Sequence, residues 1–156
     1  MSSRQYAWRH NQVLQCVKRA IAKRWQIISE EVDATKRWIP RGLAIESRAT
    51  KPDLTLLSEV AGQDILVRIV DVAVAYDEDE NMERAENEKI RKYEGLRKAI
   101  EERAVREKWQ RKVQVEVVPV VVGTLGVIQK NWGQWMEKLL IPRDEAVTVA
   151  KAASCE

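Results

Sequence analysis

Asp71 is the residue whose chemistry conflicts most with its surroundings. It lies in the run Ile-Leu-Val-Arg-Ile-Val-Asp-Val-Ala-Val-Ala over Ile65–Ala75, otherwise apolar except for Arg68. An ionised carboxylate in such a buried strand is costly unless a cation or several hydrogen bonds compensate it. Arg68 is a poor partner, because residues three apart in a strand point to opposite faces. Asp53 offers a second carboxylate: if the apolar runs on either side of Ala61-Gly62-Gln63 form a hairpin symmetric about Gly62, positions 53 and 71 are equidistant from the turn. Cross-strand neighbours have Cβ atoms about 4.5–5.5 Å apart. Two carboxylates that close repel unless a divalent cation lies between them, and Mg²⁺ accepts one or two carboxylates together with substrate oxygens and water. Lys89 is the third group. Met82, Ala85, Lys89, Tyr93, Leu96 and Ile100 share one helical stripe, which puts an ammonium among residues that face a sheet. There it would stabilise negative charge developing on a scissile phosphate. Tyr93, one turn on, is a candidate to hydrogen-bond that phosphate or Lys89. The structural alternatives are an internal ion pair for Asp71, a snorkelling stem for Lys89 and a half-buried core position for Tyr93.

These groups need a scaffold, and the pattern supplies one. The spacing predicts an amphipathic basic helix over residues 8–28, with Leu14, Val17, Ile21 and Ile28 inward and Lys18, Arg19, Lys23 and Arg24 outward. Residues 33–51, with Pro40 and Gly42, read as a connection holding a short strand near 43–45. The antiparallel hairpin follows, then a helix from about residue 77 to 108 that begins on Asp77-Glu-Asp-Glu, where negative charge suits a helix start. Residues 113–122 form a further strand in which Pro119 indicates a bulge or an edge, and a last amphipathic helix carries Trp132, Trp135 and Leu139. The expected fold class is α/β, a small mixed sheet flanked by helices, in one domain over residues 1–142 with a loosely ordered tail over 143–156.

With 156 residues, 45% of them hydrophobic, the chain has enough apolar material for one ordinary core. No stretch approaches the roughly 20 apolar residues of a membrane helix, the first residues lack the apolar core of a secretory signal, and Cys16 and Cys155 have no ligand or redox spacing. An intracellular protein with no membrane partner and no structural zinc is expected. Residues 1–51 hold eleven Lys or Arg against four Asp or Glu. Clustered cations gain affinity for polyanions by releasing condensed counterions, so Arg9, His10, Lys18, Lys51 and Lys92 are candidate nucleic-acid contacts. A satisfied core or capping role is the alternative for His10. The tryptophans among the basic residues permit stacking on nucleic acid. Gly123-Thr-Leu-Gly126 lacks the glycines and lysine of a phosphate-binding loop, and a single histidine without a nucleophile elbow gives little support to Ser-His-Asp chemistry.

Five segments in order carry a resemblance to a known family: Tyr6-Ala-Trp-Arg-His-Asn-Gln-Val-Leu, Lys51-Pro-Asp-Leu-Thr-Leu-Leu, Val70-Asp-Val-Ala-Val-Ala-Tyr, Ala85-Glu-Asn-Glu-Lys-Ile-Arg-Lys-Tyr93 and Val118-Pro-Val-Val-Val-Gly-Thr-Leu-Gly126. The chain resembles the restriction-like endonuclease domain at the C-terminal end of the polyprotein of site-specific non-LTR retrotransposons. The resemblance implies a PD-(D/E)XK core, with Asp53 and Asp71 as metal-binding acids and Lys89 as a displaced form of the motif lysine. Ala73 occupies the position, two residues after Asp71, where the ordinary motif has that lysine. It further implies Mg²⁺, for which Mn²⁺ substitutes, and nicking of double-stranded DNA so that the freed 3′-hydroxyl primes reverse transcription. The expected partners are the reverse transcriptase domain of the same polyprotein and the element RNA, with action in the nucleus if host chromosomal DNA is the target. The rival expectations are a non-cleaving nucleic-acid-binding module that keeps the fold, a branched-DNA resolvase-like nuclease, and a structural assembly domain whose Asp71 is paired internally.

Overall fold

The hairpin forms in the register that symmetry about Gly62 requires. The computed structural model describes residues 2–27, 52–60, 62–75, 79–106 and 111–154, apart from the first two side chains of the 79–106 helix. In chain order its elements are α1 (Ser3–Ile21), β1 (Gln26–Ile27), β2 (Leu54–Ser58), β3 (Ile65–Ala75), α2 (Asp79–Arg106), β4 (Val113–Gly123), α3 (Trp132–Lys138) and α4 (Arg143–Lys151). Gly62, at φ 79°, takes the left-handed conformation in the turn, a region open to glycine without steric cost. From there Leu54 pairs with Val70 and Ser58 with Leu66. One further step of that ladder sets Asp53 opposite Asp71.

The four strands lie in the order β1-β2-β3-β4. The first two contacts are antiparallel, and β4 runs parallel to β3 with Asp71 beside Pro119. A parallel neighbour needs a crossover, and α2 provides it. The fold is therefore mixed α/β. Pro119 sits on the edge strand, and there the Gln129 side chain stands in for a neighbour, accepting from Val121 N at 2.6 Å and donating to Pro119 O at 3.1 Å.

Alternation along β3 sends its residues to two cores. Val70, Val72 and Val74 pack with Val13, Val17 and Ile21 of α1 and with residues of α3 and α4. Val67 and Ile69 face Tyr93 and Ile100 of α2, and Ala73 meets Met82. Burying each of the larger aliphatic side chains contributes about 1.5–3 kcal/mol, which seats α1 and α2 firmly on opposite faces. Arg68 takes the α1 face, with its guanidinium over the Trp25 ring at 5.7 Å and its Nε donating to Lys138 O at 3.2 Å. Asp71 takes the α2 face.

Three expectations are corrected. The first helix begins earlier than residue 8 and ends before residue 28. Ser2 Oγ accepts from Gln5 N while Gln5 Oε1 accepts from Ser2 N, a capping box that starts α1 at Ser3. At its other end Trp25 Nε1 donates to Leu139 O at 2.7 Å, drawing the chain out of the helix and into β1. Its inward stripe holds the expected Val17 and Ile21 together with Val13, with Leu14 partly buried beside them and Ile28 outside the described residues. The segment 143–156 is not a loose tail through its described length: Arg143–Lys151 is helical, and Ala146, Val149, Ala150, Ala152 and Ala153 are buried. Small side chains permit that close approach, and they carry little of the apolar signal that marks a core helix in sequence. The helix carrying Trp132 and Trp135 is accordingly not the last. The expected connection over 33–51, its short strand near 43–45 and Lys51 lie outside the described residues.

Candidate active site

Asp53, immediately before β2, and Asp71, in the middle of β3, interlock through the backbone as well as through register. Asp53 N donates to Asp71 Oδ1 at 3.0 Å, and Val72 N donates to Asp53 Oδ2 at 2.8 Å. α2 delivers Lys89, whose Nζ lies 2.7 Å from Asp71 Oδ2. α1 crosses the opposite face and delivers His10, whose Nε2 lies 3.0 Å from Asp53 Oδ2. Two acids and two bases from four elements thus meet at one end of the β2–β3 pair. Exposure grades across the cluster: the Asp71 side chain is 6% exposed, whereas those of His10, Asp53 and Lys89 are 19%, 22% and 24% exposed. The last three are open to solvent, while Asp71 is nearly covered.

The charges respond to this placement. Burial and the Asp53 charge raise the pKa of Asp71, against the pull of Lys89. Burial also opposes ionisation of Asp53, yet the hydrogen bonds from His10 and Val72 N outweigh it and its pKa is lowered. Burial likewise works against the Lys89 ammonium, and Asp71 reverses the balance, so the Lys89 pKa is raised. Tyr93 is fully buried. Burial first, then the two carboxylates and a hydrogen bond with Asp71, push its hydroxyl well above the usual phenol range. It is placed to hold Asp71.

The donor set fits a hard divalent cation. Asp53 Oδ2 accepts from His10 and Val72 N, and the Asp71 carboxylate is held by Asp53 N, Lys89 and Tyr93, whereas none of these donors sits on Asp53 Oδ1. An oxygen of that kind beside a second carboxylate, with water and substrate oxygens completing the shell, is the usual protein contribution to a Mg²⁺ site. Among the described residues no three His, Cys, Asp or Glu side chains form a ligand cluster, so protein ligands beyond the two carboxylates are not part of this fit. A cation here would share Asp71 with the Lys89 ammonium.

The candidate nucleic-acid contacts are scattered by comparison. Arg9 Nη1 donates to Thr124 O at 3.2 Å and, more closely, to Ala153 O. It pins α1 to the segments flanking α3 and α4 instead of facing solvent freely. Lys18 is half-buried further along α1, and Lys92 is exposed, with its ammonium 5.2 Å from the Tyr93 ring centroid. His10 joins the carboxylate site. Sequence reasoning assigned no role to Tyr6, whose ring stacks on His10 at 6.2 Å and 25°. The four-residue spacing of Tyr6 and His10 on a helix was the available signal. The most apolar cleft described, about 960 Å³ and lined by Ile128, Trp132, Leu140 and Val147 among others, shares no residue with the site.

No family model matches the chain, and no curated protein matches it. Among the described residues no helix is long and apolar enough to cross a membrane.

His10 is the only histidine in the sequence, so its titration reports on the site directly. Its pKa is raised above 6.5, chiefly by the hydrogen bond with Asp53. The stability it contributes is therefore fully present below pH 6.5 and lost as pH rises through the folded value. The Asp53 contribution is present above 3.8 and lost as pH falls through its lowered value, so the pair stabilises the fold most between those limits. Imidazole proton resonances should titrate above 6.5 in the wild type and move back toward it in Asp53→Asn. A curve indifferent to that substitution would show that the two groups do not pair.

Proposed function

We propose that the chain is a metal-dependent DNA endonuclease domain with a restriction-like PD-(D/E)XK core, of the kind borne by site-specific non-LTR retrotransposons. One observation carries the reading: Asp53 at the start of β2, Asp71 in β3 and Lys89 on the following helix meet in one cluster of charge. The mixed sheet with helices on both faces supports it. So does Lys89, since the motif position after Asp71 is filled by the buried Ala73 and an amine arrives from α2 instead.

On this reading Asp53 and Asp71 hold Mg²⁺ or Mn²⁺, which when bound activates water and offsets charge on the phosphodiester. Lys89 directs its ammonium at the charge developing on the scissile phosphate. Tyr93 and Asp53 N keep Asp71 in place. Exposed Arg4 and Arg19 on α1 and Lys23 just beyond its end seat the duplex through phosphates, and contacts of that type position the nucleic acid without choosing sequence. The products are a 5′-phosphate and a 3′-hydroxyl, the latter a primer for a polymerase domain of the same polyprotein.

Supercoiled plasmid incubated with the protein should relax in Mn²⁺ or Mg²⁺, remain intact with chelator, and remain intact with Asp53→Ala. Equal relaxation by wild type and Asp53→Ala would end the assignment. The second reading, a non-cleaving nucleic-acid-binding module, draws on the Lys89 ammonium already lying against Asp71 Oδ2. It predicts metal-independent binding with steep salt dependence and no scission.

A further inference from the structure

His10 pairs with Asp53 at the edge of the carboxylate site. Asp53 precedes the first ladder pair of β2, Leu54 with Val70, so its side chain is held by specific donors more than by the ladder. Those donors are Val72 N and His10 Nε2, both on Oδ2. They hold the carboxylate through that one oxygen. The imidazole is itself held. Tyr6 stacks on it one turn earlier, and α1 beneath it is locked by Val13, Val17 and Ile21 in the core and by Arg9 on the carbonyls of Thr124 and Ala153. A ring anchored in this way, with Nε2 on one oxygen of a carboxylate that stands beside a second carboxylate, has the arrangement of an outer partner to a metal ligand.

We propose that His10 is a positioning residue that sets the divalent-cation affinity of the Asp53–Asp71 pair by fixing the rotation of the Asp53 carboxylate. This rests on the reading that the pair holds a metal. The role requires only a donor at Nε2, which the neutral Nε2–H tautomer supplies as well as the imidazolium does. Outer partners of this kind are worth about 10–100-fold in metal affinity. His10→Ala should lose about that much, and His10→Gln, which keeps an N–H donor on a flexible side chain, should recover part of it.

Calorimetric titration of the metal-free protein with Mn²⁺ reads the effect without any turnover. Wild type should bind, and His10→Ala should bind about 10–100-fold more weakly while remaining folded by circular dichroism. Duplex affinity in chelator should be unchanged, and plasmid nicking by His10→Ala should recover as Mn²⁺ is raised. Mn²⁺ affinity equal to wild type in a folded His10→Ala protein overturns the proposal and leaves the nuclease reading standing. Weaker duplex binding in chelator with intact Mn²⁺ affinity overturns it in favour of a DNA contact. If His10→Ala does not fold, His10→Gln carries the same comparison. Failure of the wild type itself to bind Mn²⁺ removes both this proposal and the reading beneath it.

Discussion

Asp71→Asn should abolish metal-dependent nicking while leaving the metal-free protein as stable as the wild type or more so. The substitution preserves shape and keeps an oxygen to accept from Asp53 N, but removes the charge from one of the two proposed metal ligands. A bound metal supplies several kcal/mol of charge stabilisation, and at 1.36 kcal/mol per decade the loss amounts to about 10³-fold in rate. Stability moves differently, as the direction of the Asp71 shift requires. A carboxyl whose folded pKa is raised binds its proton more tightly folded than unfolded, so its ionisation weakens the fold as pH rises above 3.8. Burial and the neighbouring Asp53 outweigh Lys89 in setting that direction. At neutral pH Asp71 is therefore a burden on the metal-free fold. Asp53, with its pKa lowered, has the opposite sign, and Asp53→Asn should lose stability. Urea unfolding in chelator at pH 7, beside a plasmid assay in Mn²⁺, separates the cases. A clear loss of stability in Asp71→Asn with nicking unchanged would make the residue a structural ion-pair member.

The most chemically informative part of the structure was legible because it depended on local periodicity. Alternation is strict in a strand, so a turn at Gly62 fixed which residues oppose one another, and Leu54 with Val70 is that register. A 3.6-residue stripe through Met82, Lys89 and Tyr93 put the amine on the sheet side of α2, where its Nζ meets Asp71. What could not be read depends on contacts distant in sequence. The exit from α1 is drawn by an indole hydrogen bond to Leu139, 114 residues away, whereas local helix preference would have continued through Ala22 and Lys23. α4 packs through Val149 and small alanines over only nine residues, too short a stripe to stand out beside the longer helices. His10 was visible as a half-buried residue, but its partner lies 43 positions on, past the segment 28–51. Hydrophobic pattern encodes faces, and this pairing is between faces: His10 comes over from the helix on the far side of the sheet.

Lys89→Met should separate metal binding from catalysis. Methionine keeps an unbranched stem of similar length and removes the ammonium. Nicking should fall by about 10²–10³, the usual loss when one group that stabilises transition-state charge is deleted. Mn²⁺ affinity measured by calorimetry should hold or tighten, since the cation now sharing Asp71 Oδ2 at 2.7 Å no longer competes with an incoming metal and no longer repels it. Collapse of Mn²⁺ binding would mean that Lys89 only organises Asp71, and wild-type nicking would mean that the amine takes no part. Moving the lysine back, as Ala73→Lys in the Lys89→Met background, should not restore activity. Position 73 shares the face of Asp71, but Ala73 is 6% exposed and packed with Met82 and Val121, so a four-carbon stem would have to displace one of them. Overpacking of that kind costs typically about 1–3 kcal/mol. The same crowding is the physical reason that an amine reaching Asp71 comes from α2: a strand position wedged between α2 and β4 has room for a methyl group, whereas a helix one layer away has room for the length of a lysine.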